Sequence, residues 1–341
     1  MAAGLRWLAA AGRRRVAPTG IRLTPTLHAE ASLTAELAII ERLRQRLTGP
    51  PGQTWVGDDV AVVPGPTGSL LLAADAVVAG VHADVDLVGL DDLGWKALVA
   101  NVSDIAAVGG RPTHALVTVA GPLSELDIDL LYDGLIPAAD AYSCPIVGGD
   151  LSSAPSLVVT VAVAGDGGPA EPPPVLRSGA VPGDTLFVTG PLGSSAAGLA
   201  LLQADLAAEA PDLVLAHRRP RARLAEGAAA RAAGASAMID VSDGLATDVR
   251  HLAEASGVGV VLDHIPVAIG VPRISDEPED LALGGGEDYE LLFAAPDVAR
   301  MEAAFDAAGL GKPIRIGRCT ADPAERRLRD GELPVLGWEH R

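Results

Sequence analysis

The sequence predicts two mixed α/β domains, of the α+β kind, and three observations carry that expectation. Short β-branched runs alternate with apolar stripes of helical period through both halves of the chain. The stretch from Gly165 to Pro174 (Gly-Asp-Gly-Gly-Pro-Ala-Glu-Pro-Pro-Pro) is the passage most like a linker. A length of 341 residues, 49% of them hydrophobic, suits two cores of roughly 150 residues each. Helices and strands interleave in each half, which favours layered packing over an all-helical or all-β arrangement. The expected limits are 33–165 and 175–341. Residues 1–32 are set apart: Arg6, Arg13, Arg14, Arg15 and Arg22 occur with no acidic residue before Glu30. They read as an extension or the product of an upstream start, with a transit-type targeting segment as the alternative.

In chain order, Leu37, Ile40 and Leu43 give a first helix near residues 35–43, stopped by Gly49-Pro50-Pro51-Gly52. Asp58–Val63 and Leu70–Val78 read as two strands joined by the Pro64–Gly68 turn, a plausible hairpin. Asp91-Asp92 caps a helix from about Leu93 to Val108 in which Leu98, Asn101, Ile105 and Val108 share a face and Asp104 lies beside it. A strand at Ala115–Val119, a helix from about Leu126 to Ala141 and a strand at Leu157–Val163 follow. Pro145-Ile146-Val147 delivers the chain to Gly148-Gly149-Asp150. Beyond the break come a strand at Thr185–Thr189, an Ala/Leu-rich helix, a helix near Ala222–Ala233 and a strand at Ala237–Val241. Ser242-Asp243 opens a helix whose Leu245, Val249, Leu252 and Ala253 form a stripe ending at Gly257. Strands at Val258–Leu262 and Glu290–Ala294, a helix near Val298–Ala308 and a terminal pair of strands complete the chain. The Ala-rich stretches Ala204–Ala210 and Ala225–Ala237 read as helical.

Composition excludes several functions. Lys and Arg number 26 against 44 Asp and Glu, a net charge of -18, which argues against nucleic acid or an anionic membrane as partner. No apolar run approaches the ~20 residues a membrane span needs. Cys144 and Cys319 are far apart and lack metal-ligand spacing, so neither a disulfide framework nor a zinc site is expected. These features describe a soluble, cytoplasmic enzyme whose anionic substrates arrive with metal ions.

The chemistry lies in dispersed carboxylates. Gly57-Asp58-Asp59 opens an apolar run, and Asp75, Asp104, Asp150, Asp240 and Asp243 repeat the setting of an acid at the edge of an apolar element. A buried carboxylate is costly unless a partner or metal neutralises it, and cations near these positions are few. Mg²⁺ prefers carboxylate and water oxygens and is usually shared with phosphates, so the aspartates point to Mg²⁺ holding phosphates. Asp91, Asp92, Asp184 and Asp248 read as caps or surface charges. There is no Gly-x-x-x-x-Gly-Lys-Ser/Thr loop, kinase-type catalytic loop or nucleophile elbow. Gly190-Pro191-Leu192-Gly193-Ser194-Ser195 either presents amides to an anion at a helix start or is a plain strand-to-helix turn.

Taken in order, the motifs resemble the thiamine-monophosphate kinase family, in the superfamily of aminoimidazole ribonucleotide synthetase and selenophosphate synthetase. They are Gly57-Asp58-Asp59, Asp75 through Gly80-Val81-His82, Gly94-Trp95-Lys96, Asn101-Val102-Ser103-Asp104, Gly148-Gly149-Asp150, Arg177-Ser178-Gly179-Ala180, Ile239-Asp240-Val241-Ser242-Asp243-Gly244, Gly285-Gly286-Glu287-Asp288-Tyr289-Glu290 and Gly337-Trp338-Glu339-His340. The resemblance implies that Asp59, Asp75, Asp104, Asp150, Asp240 and Asp243 hold several Mg²⁺ ions around ATP. It implies nucleotide contacts from Gly149, Asp150, Arg177 and Ser242, and thiamine monophosphate contacts from His82, Glu287 and Trp338. It further implies transfer of the γ-phosphoryl group of ATP to thiamine monophosphate, and a homodimer joined through its N-terminal sheets. The sequence departs from the family pattern at Ala73-Ala74 before Asp75, at Ala83 after His82 and at Leu151-Ser152-Ser153 after Asp150. The alternatives are another enzyme of the superfamily, or a relative that binds nucleotide or thiamine phosphate without turnover.

Overall fold

The computed structural model describes residues 38–337 apart from 54, 57–60, 62, 123–126 and 169–171. Residues 1–32, Asp58-Asp59 and Trp338 therefore lie outside the described residues. Residues 38–46 form helix α1, and Ile39, Leu43 and Leu47, four residues apart, bury one stripe of it.

The first sheet has strand order β1-β4-β2-β3, with β1 Leu70–Val78, β2 Arg111–Gly121, β3 Ile146–Ser153 and β4 Val158–Asp166. β1 pairs with β4 and β4 with β2 antiparallel, while β2 and β3 run parallel. A parallel pair needs a crossover connection. Helix α4, Ile128–Ala141, supplies it. The short helix α2, Val85–Val88, leads into α3, Leu90–Ala107, which packs on α4. Their crossing is close: a Cβ on Gly134 would lie 1.6 Å from the Asp91 carbonyl oxygen, and one on Gly94 would lie 2.2 Å from that of Leu131. Val117, Val119, Val159, Val161 and Val163 alternate along β2 and β4 to cover the inner face.

The second sheet has seven strands in the order β11-β10-β7-β9-β5-β8-β6. They are β5 Thr185–Val188, β6 Ala237–Asp240, β7 Gly259–Leu262, β8 Leu291–Ala295, β9 Ile314–Thr320, β10 Arg326–Leu328 and β11 Gly331–Glu332. Strand alternation splits its side chains between two helical layers. Phe187, Met238 and Phe293 meet α7 (Leu224–Ala233) and α10 (Val298–Ala307), with Phe293 stacked between Phe187 and Phe305. Leu186, Ile239 and Leu292 meet α8, Leu245–Ser256. Helices α5 (Ser194–Gln203), α6 (Pro211–Arg218) and α9 (Pro278–Gly284) form a satellite layer with the 3₁₀ turn Val271–Arg273.

Helix α3 joins the two sheets. Its Ala106 and Ala107 belong to the Phe187–Phe293 core, and a Cβ on Gly227 of α7 would lie 2.1 Å from the Ala106 carbonyl oxygen. Trp95 donates its indole N–H to the Pro220 carbonyl at 2.9 Å. Arg219 pairs with Asp91 at 2.8 Å and with Asp92, and lies 5.7 Å over the Trp95 ring.

Several expectations need correcting. Asp91 and Asp92 sit in the first turn of α3 rather than capping it, because Gly89 is the capping residue. Asp184 and Asp248 are buried rather than surface charges, each 1% exposed. Asp184 accepts from the Val181 N–H at 3.1 Å and the Ser236 hydroxyl at 2.5 Å. The stretch Ala204–Ala210 is not helical, since Asp205 takes a left-handed conformation (φ 57°) that ends α5. Gly148-Gly149-Asp150, to which the sequence reading assigns no element, lies inside strand β3. The strand that pairs with β1 among the described residues is β4, and most of the expected hairpin partner lies outside them.

Candidate active site

The position of Asp75 within β1 and the neighbouring face of α3 bring carboxylates together. The Asp75 backbone N–H donates to Asn101 Oδ1 at 2.9 Å, and Asn101 Nδ2 is tied to the Ala97 carbonyl at 3.0 Å. That fixes β1 against α3 one turn before Asp104. The Asp104 carboxyl bonds to that of Asp75 and is pushed up to about 7, first by burial and then by the charges of Asp240 and Asp75, with Arg177 opposing.

Towards the second sheet, Ser103 of α3 donates its hydroxyl to Oδ2 of Asp240 in β6 at 2.6 Å. Burial pushes Asp240 up to about 6. Asp248 adds to that rise, whereas the Ser103 bond and the Arg177 charge oppose it. A cavity of about 330 Å³ opens between the two sheets here, lined by Asp104, Arg177, Asp240, Leu71, Ala73 and Met238. The buried Tyr289 hydroxyl is driven well above its ordinary value by burial and then by Glu287, Asp240, Asp75 and Asp104.

The acidic group continues along the loop after β6. The Asp243 N–H donates to Asp248 Oδ2 at 3.1 Å, and ligand atoms of Asp243, Asp248 and His251 lie within 4.8 Å of one another. Asp248 is raised by burial, and His251 is raised by its hydrogen bond to Asp248. The sequence reading missed Asp248 and His251. A signal was present, since Asp248 sits on the Leu245–Leu252 apolar stripe at helical spacing, where a surface charge does not belong.

Of the residues expected to contact nucleotide, Arg177 faces this group, and the Ser242 carbonyl accepts the Glu287 N–H at 2.8 Å. Gly149 and Asp150 are placed elsewhere. Gly149 aligns with Val117, which aligns with Val161 and in turn with Asp75. Three strand spacings, roughly 14 Å in all, separate them. Asp150 and Asp75 therefore cannot share one ion. Asp150 accepts from the Ser152 hydroxyl at 2.8 Å. A side chain at 149 is excluded, because its Cβ would lie 1.8 Å from the Val117 carbonyl oxygen.

Of the residues expected to contact the acceptor, His82 stands in the turn after β1 and accepts the Val78 N–H on Nδ1 at 3.1 Å, which leaves the neutral ring's proton on Nε2. Glu287 lies in the loop between α9 and β8 with φ 65°. Its Oε2 meets Lys96 Nζ at 2.9 Å and lies 3.6 Å from His217 Nδ1. Gly286 is required there, since a Cβ would approach the Ser242 carbonyl to 2.4 Å. Asp288 accepts from the N–H groups of Gly193 at 2.6 Å and Ser195 at 3.0 Å. Those amides at the start of α5 are thus held by the chain's own carboxylate, and the anion-presenting reading of Gly190–Ser195 gives way to a structural turn.

The arrangement concentrates hard oxygen donors with Arg177 as the cation that lowers both Asp104 and Asp240. Carboxyls raised by burial and by one another suit a divalent, oxygen-preferring cation, which relieves both causes at once.

Residues 57–166 match the AIR synthase related protein N-terminal domain, and residues 181–329 match the corresponding C-terminal domain. The thiamine-monophosphate kinase of Salmonella typhimurium is 38% identical over 305 residues, 84% of this chain and 90% of that one. The crystal structure of thiamine-monophosphate kinase from Stenotrophomonas maltophilia superposes with a TM-score of 0.76 at 32% identity, covering 88% of this chain and 98% of that one. AaThiL complexed with AMPPCP and TMP superposes with a TM-score of 0.70 at 30% identity, covering 95% of this chain and all (100%) of that one. On identity, coverage and domain order, the chain belongs to the thiamine-monophosphate kinase family.

Proposed function

We infer that this chain is an ATP-dependent kinase that converts thiamine monophosphate to thiamine diphosphate. An oxygen of the acceptor phosphate attacks the γ-phosphorus of ATP in line. A new phosphorus–oxygen bond forms there while the bond to the β-bridging oxygen breaks, and ADP leaves with the electron pair. The acceptor oxygen is already ionised, so no strong general base is needed, and positioning with charge neutralisation carries the catalysis. The observation that carries the reading is the meeting of Asp75, Asp104 and Asp240 beside Arg177 at a cavity between the two sheets.

Asp59, Asp75, Asp104, Asp150, Asp240 and Asp243 are proposed as Mg²⁺ ligands, with Asp150 serving a different ion from Asp75. Bound Mg²⁺ neutralises phosphate charge and orients the transferring group. Arg177, Ser242, Gly149 and Asp150 are proposed to hold the nucleotide, and His82, Glu287 and Trp338 the acceptor. A carboxylate and an aromatic face suit the cationic ring of thiamine. We further propose a boundary between domains 33–165 and 175–341, a cytoplasmic location and a homodimer. Relatives named as thiamine-monophosphate kinases, and one solved with AMPPCP and TMP, support the substrate pair.

The test is direct. Purified protein with Mg²⁺, ATP and thiamine monophosphate is expected to form thiamine diphosphate and ADP in equal amounts. Asp104→Ala and Asp243→Ala are each expected to abolish both products. Nucleotide binding without turnover would reject the kinase reading, and full activity in both variants would reject the metal assignment.

A further inference from the structure

Lys96 is 1% exposed, among the largest fully buried side chains of the described residues, and lies inside α3 where that helix meets the second sheet's domain. A lysine is almost never fully buried without a partner, because its ammonium loses its hydration. The partner is Glu287, 191 residues away in sequence and on the other domain, at 2.9 Å. Lys96 lies seven residues before Ser103, two helical turns along the same face, and Ser103 holds Asp240. Helix α3 thus grips two acidic residues of the C-terminal domain from one stripe.

The Glu287 backbone is fixed independently, with φ 65° and its N–H on the Ser242 carbonyl. Its described side-chain contacts both run through Oε2. The second of them, His217, is buried and bonded to the Ser195 hydroxyl at 3.1 Å. Burial and the charges of Lys96 and Arg218 hold His217 down at about 3, so it stays neutral and Lys96 is the cation at this oxygen. The Glu287 side chain is 27% exposed, and Oε1 is the oxygen left for a ligand.

We propose that Lys96 is a positioning residue that clamps Glu287 Oε2 from across the domain boundary and so directs Oε1 at the cationic ring of the thiamine monophosphate acceptor. The proposal rests on the reading of Glu287 as an acceptor contact. Being buried, Lys96 reaches neither phosphate nor bulk water, and its effect on the reaction passes through Glu287.

Three variants test this: Lys96→Met, Glu287→Gln, and the double variant, which leaves no orphaned buried charge and so guards against misfolding. Each is checked by thermal melt, then by KM for both substrates and kcat. Lys96→Met is expected to raise KM for thiamine monophosphate about tenfold while KM for ATP stays within about twofold. The double variant is expected to match Glu287→Gln within about twofold, because the lysine has no further target. A general loss of structure would instead shift both KM values and kcat together. An unchanged acceptor KM in folded Lys96→Met overturns the proposal, as does a double variant about tenfold worse than Glu287→Gln. A raised acceptor KM in Glu287→Gln with a normal one in Lys96→Met rejects only the clamp. A normal acceptor KM in Glu287→Gln rejects the acceptor contact itself, and the clamp with it.

Discussion

Asp166 shows how backbone donors fix a carboxylate's charge. It ends β4 and accepts N–H groups from Gly168 at 2.8 Å and from Thr67 and Gly68 at 3.3 Å, together with the Thr67 hydroxyl at 2.9 Å. These donors hold its carboxyl at about 2, below the ordinary 3.8. The folded state therefore favours the charged form. The stability this contributes is complete above the unfolded value and is lost as pH falls from about 4 towards about 2. Asp166→Asn is expected to melt lower than the parent at neutral pH, with the gap narrowing as pH falls from about 4 towards about 2. A gap independent of pH would show that the bonds do not depend on charge. At this scale the sequence revealed acids in apolar settings, Asp75, Asp104 and Asp240 among them, because a charge within an apolar run is conspicuous alone. It did not reveal Lys96 as the partner of Glu287 or Ser103 as that of Asp240, because those partners lie 191 and 137 residues away.

At the scale of elements, the crossing of α3 and α4 governs the site. The helices meet backbone to backbone at Gly94 and Gly134, and α3 carries Lys96, Asn101, Ser103 and Asp104. A methyl at 134 has no room, since the obstructing atom is the Asp91 carbonyl oxygen, which cannot swing aside. Gly134→Ala is expected to destabilise by about 1–3 kcal/mol and to lower turnover, although residue 134 touches no substrate. Thermal melts and kinetics on one preparation check both; an unaltered melting temperature would contradict the close crossing. The period of apolar residues made α3, α8, β5 and β8 legible to within a few residues. It failed at Ala204–Ala210, where alanine content favours helix but Asp205 turns left-handed and Pro211 starts a new helix. Helices α6 and α9 each begin on a proline and were not expected from the sequence, being too short for a clear stripe.

At the scale of the molecule, the first sheet carries one face without a helical cover among the described residues. Leu72 is 75% exposed, Leu70 55% and Leu116 46%. Leu72 aligns with Ala164, and Leu116 with Ala162, so they form one apolar surface on a chain of net charge -18. Exposed contiguous apolar area of this kind marks an association surface. The proposed homodimer would bury it by isologous pairing. Leu72→Asp is expected to halve the mass measured by light scattering, and an unchanged dimer would place the interface elsewhere. No helix among the described residues is long and apolar enough to cross a membrane. The sequence predicted two mixed halves because each repeats strand and helix periods, but not that one helix serves both cores. That helix limits how the protein can be recombined. A chimera joining residues up to about 170 of one relative to the remainder of another would keep both sheets. It would still mismatch Lys96 with Glu287, Ser103 with Asp240 and Asp91 with Arg219 unless these pairs were inherited together. Along this boundary the unit of inheritance is the pair of partners, not the domain.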